Sequence, residues 1–335
     1  MMLLTRAAAL LAGAAASMAM LMATATVPGT GAFAQAYPIK PVTFVIGFAP
    51  GGPSDVLSRI MCKKYEELLG QPFVIENKAG AGGGIAAAYV ARQPNDGYTL
   101  MLGARSVLAG NQFVYKQINY VPEKDFDLVS IVGAQPNILY VHPSLPVNNL
   151  KEFIAYAKAN PGKLSYGSGG VGTASHFGGE QLNRDAGIKV LHVPHRGTGQ
   201  VIQAVLGNHI PVGINPPAPL VPLIQGGQIR AIASAGLKRS AALPDLPTFH
   251  ESGFPNFEAI DWHSIAGPTG LSKTVVDTLH KATIEALKDA KVKKQLTELG
   301  VDVWGTTPEE SRKILLAEIP KQEALAKLAG VNRDQ

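Results

Sequence analysis

Two short segments hold the residue types best suited to chemistry: Gly51-Gly52-Pro53-Ser54-Asp55 and Gly169-Gly170-Val171-Gly172-Thr173-Ala174-Ser175-His176. Each follows a β-prone run and opens a helical pattern. Glycine permits positive φ and close approach to the backbone. The first N–H groups of a helix have no partner inside it, and its dipole favours negative charge at that end. Each turn is therefore a candidate anion seat, with the hydroxyls of Ser54, Thr173 and Ser175 as extra donors. The same residues also serve as plain helix caps; the pairing of two such turns is what raises the ligand reading. His176, beside the second turn, either packs or touches ligand.

Other chemistries find less support. Gly82-x-Gly84-x-x-Ala87 fits a loose dinucleotide fingerprint, but the following strand, Thr99 to Arg105, ends without the acidic residue that would hold a ribose. No G-x-x-x-x-G-K-[ST] loop and no G-x-S-x-G elbow occurs. His192-x-x-His195 has a spacing that suggests a metal, yet on a strand these residues face opposite sides and no carboxylate or cysteine lies nearby. Cys62 is the sole cysteine and reads as a small buried hydrophobe, so no disulfide, metal or cofactor is expected.

The elements that must position the two turns alternate between strand and helix. Strands are expected over Val42–Ala49, Phe73–Glu76 and Thr99–Gly103, with helices over Ser54–Leu69 and Ile85–Arg92. A second series runs from the extended stretch Ile138–Pro143 to the strand Ile229–Ala233. It contains helices Leu150–Ala159, Ala174–Asp185 and Thr198–Leu206 and strands Leu164–Ser168, Lys189–Val193 and Ile210–Asn215. After Leu243 come the strand Ser264–Ala266, one long helix Ser272–Leu299, the strand Val301–Trp304 and the helix Pro308–Leu328. The pattern predicts an α/β protein with two parallel-rich sheets. Lobe 1 is expected over 37–140 and 243–335, and lobe 2 over 141–242. The chain would then cross twice, near 138–143 and 236–260, and two crossings make a hinge.

Composition agrees. Of 335 residues, 46% are apolar and 16% charged, enough to bury a core despite 36 glycines and 24 prolines. The net charge of +5 comes from scattered basic residues with few aromatics among them, so no nucleic-acid partner is expected. Residues 1–36 carry one charged residue, Arg6, then an Ala/Leu/Met run and the small-residue sequence Ala32-Phe33-Ala34. That is the pattern of a secretory signal peptide cleaved after Ala34 or Ala36, and it places the mature protein in the periplasm. An uncleaved membrane anchor is the alternative.

Several ordered blocks then become specific: Tyr37-Pro38-x-Lys40-Pro41-Val42, Glu76-Asn77-Lys78-x-Gly80-Ala81-Gly82-Gly83, Pro94-x-Asp96-Gly97-Tyr98-Thr99-Leu100, Val193-Pro194-His195-Arg196-Gly197, Leu243-Pro244-Asp245-x-Pro247-Thr248 and Trp262, together with both glycine turns. Over the whole chain beyond residue 36, the series resembles the Bug family, the extracytoplasmic substrate-binding proteins of tripartite tricarboxylate transporters. The resemblance implies a two-lobed periplasmic binding-protein fold (type II) with a cleft that pinches one carboxylate of a small ligand. It assigns Gly51, Gly52 and Ser54 to one jaw and Ser168, Gly172, Thr173, Ser175 and His176 to the other.

Three positions depart from the family: His195 replaces a usual Tyr, Asn215 an acid that is often present, and Arg105 a small residue. Losing the acid at Asn215 argues against an amino-group ligand. Arg105 could pair with a second carboxylate, and Phe48 could supply an apolar wall, so an aliphatic or aromatic dicarboxylate is the expected cargo. The expected partners are that ligand and membrane transporter subunits or a sensor protein, with the receptor a monomer. An exported enzyme using His176 or His195 as a base is the competing reading, and no local acid orients either ring.

Overall fold

The computed structural model describes residues 37–331, so the leader expected over 1–36 lies outside the described residues. The first glycine turn joins β1 (Val42–Ile46) to α1 (Pro53–Leu69). Next come β2 (Phe73–Asn77), α2 (Gly84–Val90), β3 (Thr99–Ala104), α3 (Pro122–Asp125) and β4 (Phe126–Pro136). The second series is β5 (Ile138–Val141), α4 (Leu150–Ala159), β6 (Ser165–Ser168), α5 (Ala174–Ala186), β7 (Leu191–Pro194), α6 (Thr198–Leu206), β8 (Val212–Asn215), α7 (Val221–Gln225) and β9 (Arg230–Ser234). The chain ends with β10 (Ile260–Pro268), α8 (Lys273–Lys288), α9 (Ala290–Glu298), β11 (Asp302–Val303) and α10 (Pro308–Leu328).

The strands form a six-stranded sheet, in the order β11-β4-β10-β3-β1-β2, and a five-stranded sheet, β7-β6-β8-β5-β9. Both are mixed, which corrects the parallel-rich expectation. In the first, β10 runs antiparallel to β3 and β4; in the second, β5 runs antiparallel to β8 and β9. The reason lies in the crossings. A strand arriving from the other sheet enters at the crossing end, opposite in direction to the β-α units that run toward it. The carboxyl ends of β1, β3, β6 and β8 consequently all face the crossing, and so do the turns that follow them.

The chain passes between the sheets at Asn137 and again between Ser234 and Ile260. These passages are tied together: Asn137 donates to the Ala259 carbonyl from its backbone N–H at 3.0 Å and its side-chain amide at 2.8 Å. Ala235 N–H donates to the Asn137 carbonyl at 2.8 Å, and Ala259 N–H to the Ala235 carbonyl at 2.9 Å. The return lies later than Leu243. Leu243 packs with Ile138 and Tyr140 of β5 and Val201 of α6, while Phe249, Phe257 and Ala259 pack with Leu139, Val212 and Ile214 of β5 and β8, all in the second series. Phe249 stacks on Phe257 with centroids 4.3 Å apart, and burial of this aromatic group keeps 243–259 on that sheet.

Two further differences from the sequence reading have local causes. The helix expected over Ser272–Leu299 is two helices, because Asp289 is extended (φ −61°, ψ 125°) and its carboxylate caps the second by accepting from Lys291 N at 2.9 Å and Val292 N at 3.1 Å. The eleven-residue strand β4 was not anticipated; it fills the space between β10 and β11, with all its residues buried except Asp127.

Candidate ligand-binding site

Three helix N-termini meet where the two sheets face each other. That of α1 has Gly52 as its N-cap and that of α6 has Gly197, and neither carries a side-chain cap; α5 is capped by Thr173, whose hydroxyl accepts from His176 N at 3.4 Å. With Pro53 lacking an N–H, the first-turn amides of α1 are those of Ser54 and Asp55, and in α6 they are those of Thr198, Gly199 and Gln200. These residues enclose a cavity of about 220 Å³ lined by Phe48, Gly52, Ser54, Gly169, Thr173, Arg196, Gly197, Thr198, Gly199, Asp261 and His263, among others. A second cavity, of about 240 Å³, shares Phe48, Gly169 and Arg196 and is lined further by Gly80 to Gly83, Tyr115 and His195. Both are small, below the range of pockets for drug-sized ligands.

The first turn is held in shape by Asp55. Its carboxylate accepts from Gly51 N at 3.1 Å, from Asn77 Nδ2 at 3.2 Å and from Arg59 at 2.9 and 3.1 Å. Desolvation opposes its charge, but the hydrogen bonds from Arg59, Gly51 and Asn77 outweigh it and hold the carboxyl below its usual range. Gly51 is exposed and does not line the cavity, whereas Gly52 and Ser54 do. Ser54 Oγ lies 2.9 Å from His263 Nε2.

In the second turn most of the expected ligand contacts prove to be internal. Ser168 Oγ donates to the Gly170 carbonyl at 3.1 Å and lies 2.6 Å from His192 Nε2. Thr173 Oγ1 donates to the Gly170 carbonyl at 2.7 Å, and Ser175 Oγ accepts from Gly169 N at 3.3 Å. Buried His176 accepts from Gly172 N through Nδ1 at 3.1 Å and stacks on His192, centroids 4.0 Å apart. Gly172 has φ +81°, and a Cβ there would come within 2.6 Å of Val114, so only glycine lets the turn close against that neighbour. Of this set only Thr173 lines the cavity, with Gly169 beside it. Ser168, Gly172, Ser175 and His176 shape the turn instead.

Arg105 also lies elsewhere. Its guanidinium pairs with Glu318 of α10 at 3.0 Å, and both side chains are buried. Its backbone N–H donates to Asp261 Oδ1 at 3.2 Å. It lines neither cavity, so the reading of Arg105 as partner of a second carboxylate is corrected: the charge is already matched inside the protein. Asn215 is fully buried behind the cavity, where Oδ1 accepts from Tyr140 Oη at 2.9 Å and Nδ2 donates to Thr198 Oγ1 at 3.3 Å, positioning Thr198. His195 borders the second cavity and its Nδ1 lies 3.0 Å from the Val193 carbonyl.

Among the cavity residues that escaped the sequence reading are Arg196, Thr198, Asp261 and His263. A signal for the first two was present, since His195-Arg196-Gly197-Thr198-Gly199 is a third glycine turn between a strand and a helix. Asp261 and His263 carry none, because only the pairing of His263 with Ala104 across β10 and β3 brings them to the cleft.

Residues 57–331 match the sequence profile of the tripartite tricarboxylate transporter family receptor. The chain belongs to this family. It is 30% identical over 298 residues to the protein BugT of Bordetella pertussis, covering 89% of this chain and 91% of that one. A structure of an R. palustris protein with adipate superposes with a TM-score of 0.85 at 33% identity, over 88% of this chain and 99% of that one. MatC from Rhodopseudomonas palustris, with bound malate, gives 0.81 at 31% identity, over 87% and 100%. The fold is that of the periplasmic binding proteins, and the family is one of solute receptors rather than enzymes.

Proposed function

We propose that this chain is an exported receptor that captures a small organic carboxylate between two lobes, one built on each sheet, and presents it to the membrane subunits of a tripartite tricarboxylate transporter. The observation that carries this reading is the convergence of the uncapped N-termini of α1 and α6 on one small cavity. Partly positive helix ends with free first-turn amides suit an anion without needing a paired cation. Exposed Arg196 at the rim adds attraction for one. The adipate and malate of the structural relatives support the ligand class. The leader pattern in 1–36 supports export, and the receptor works as a monomer that binds without converting its cargo.

Catalysis by the histidines of the second turn is disfavoured by their environment. The Ser168–His192 pair lies outside the cavity lining, and burial holds His192 at about 3 and His176 at about 4, far from a base that works near neutrality. Thermal unfolding with a panel of carboxylates tests the proposal. A bound acid at 100 times its Kd should stabilise the protein by about 2.7 kcal/mol and be recovered unchanged. Stabilisation by neutral sugars or amines with none by any acid, or chemical conversion of the ligand, would contradict it.

A further inference from the structure

The cavity has two chemically different walls. One is the pair of helix N-termini. The other is contributed by β10, where Asp261 and His263, two residues apart, share a face of the strand while Trp262 between them turns into the core. His263 is almost wholly buried, and its Nδ1 has no hydrogen-bond partner, although its Nε2 meets Ser54. Asp261 is half-buried; one carboxylate oxygen accepts from Arg105 N. The guanidinium of Arg105 is engaged with Glu318, and Arg196 lies exposed at the rim of the same cavity.

An acid whose buried neighbouring cation, Arg105, is already matched by Glu318 disfavours a ligand carboxylate beside it and attracts a hydrogen-bond donor. The buried Nδ1 of His263, without a partner, offers the same ligand group a second hydrogen bond, which a hydroxyl can complete whichever ring nitrogen carries the proton; leaving it unmade costs more than a typical bond contributes. Resting on the carboxylate reading above, we infer that Asp261, with His263, makes this receptor specific for carboxylates that also bear a donor, a hydroxyl or an ammonium group, on the carbon next to the carboxylate held by the helix N-termini, where His263 already meets Ser54. This displaces the unsubstituted dicarboxylate suggested by Arg105 in the sequence.

Calorimetry on matched acids tests this: propionate, lactate and alanine; succinate, malate and aspartate; adipate and 2-aminoadipate. The donor-bearing member of a set should bind roughly 10- to 100-fold more tightly than its unsubstituted parent, the range for a hydrogen bond to a buried charged group. Asp261→Asn keeps an oxygen for Arg105 N–H while removing the charge. It should cut that preference by about tenfold or more for an ammonium ligand and less for a hydroxyl, which separates the two donors. It should tighten binding of the parent acids, because it removes a negative charge from the cavity they enter. His263→Phe should reduce the preference without abolishing binding of the parents. If the unsubstituted acids bind as well as the substituted ones, or Asp261→Asn weakens all of them equally, the specificity assignment fails while the carboxylate receptor stands. If no acid of the panel binds, the carboxylate reading itself fails, and this inference with it.

Discussion

Glu318→Ala is expected to cost about 3 to 5 kcal/mol of stability, the range for removing one partner of a buried ion pair. The cause is what remains. Arg105 would keep its charge beneath α10 with its Nε already without a partner, and the Gln322 amide would lose its acceptor on Glu318 as well. The double variant Arg105→Met/Glu318→Leu, which replaces the pair with apolar groups of similar size, should recover most of the loss. Urea unfolding of the three proteins measures this. A loss under about 1 kcal/mol for Glu318→Ala would show that water reaches the guanidinium and that the pair is not buried in solution. Arg105→Ala, for its part, should lower stability without separating dicarboxylates from monocarboxylates, the opposite of what its sequence position suggests.

Stability should also fall steeply as the pH drops from about 6.5 toward 4. Burial lowers His176 to about 4; burial, then the neighbouring His176 and His195, lower His192 to about 3. An unfolded chain protonates both near 6.5, so between that value and the folded ones it binds more protons than the native state, and acid favours unfolding. The stabilisation is complete above about 6.5 and is lost as the folded values are approached. His176, only 5% exposed, contributes on the order of 3 kcal/mol over this window, and His192 acts in the same direction. Urea midpoints followed from pH 7.5 to 4.5 should trace the fall, and His192→Phe should flatten it, since phenylalanine can stack on Tyr166 and His176 but cannot be charged. An unchanged midpoint across the range would mean that the stacked pair is reached by water.

The sequence carried the strand-turn-helix rhythm well because its punctuation is local. Leu150–Ala159 and Thr198–Leu206 begin and end where Asn149, Asn160, Gly197 and Gly207 say they should. The first glycine turn was legible for the same reason: Gly52 and Ser54 stand at a helix start that needs no distant partner to be recognised. The second turn was half legible. The run Ser168–His176 has the right residue types, but its hydroxyls are consumed within the turn, and the donors facing the cavity come from the next turn, Arg196–Gln200. Nothing local distinguishes a hydroxyl that caps from one that binds.

What could not be read depends on register and on contacts far apart in the chain. Asp261 reaches the cavity only because β10 returns between β3 and β4, and Arg105 leaves it only because Glu318, 213 residues later, meets its guanidinium. An arginine at a strand end looks the same in sequence whether its partner is a ligand or a distant helix. The mixed character of both sheets has a similar origin, since the direction of β5 and β10 follows from where the crossings enter.

The most direct test of the carboxylate cleft is a crystal structure of the protein with a bound acid from the stabilising panel. One carboxylate is expected between the N-termini of α1 and α6, accepting hydrogen bonds from first-turn amides such as those of Ser54 and Thr198, with the two sheets drawn together around it. A ligand seated away from both helix ends, or one that meets the cleft through its hydrocarbon with its carboxylate in solvent, would contradict the anion seat on which the functional reading rests.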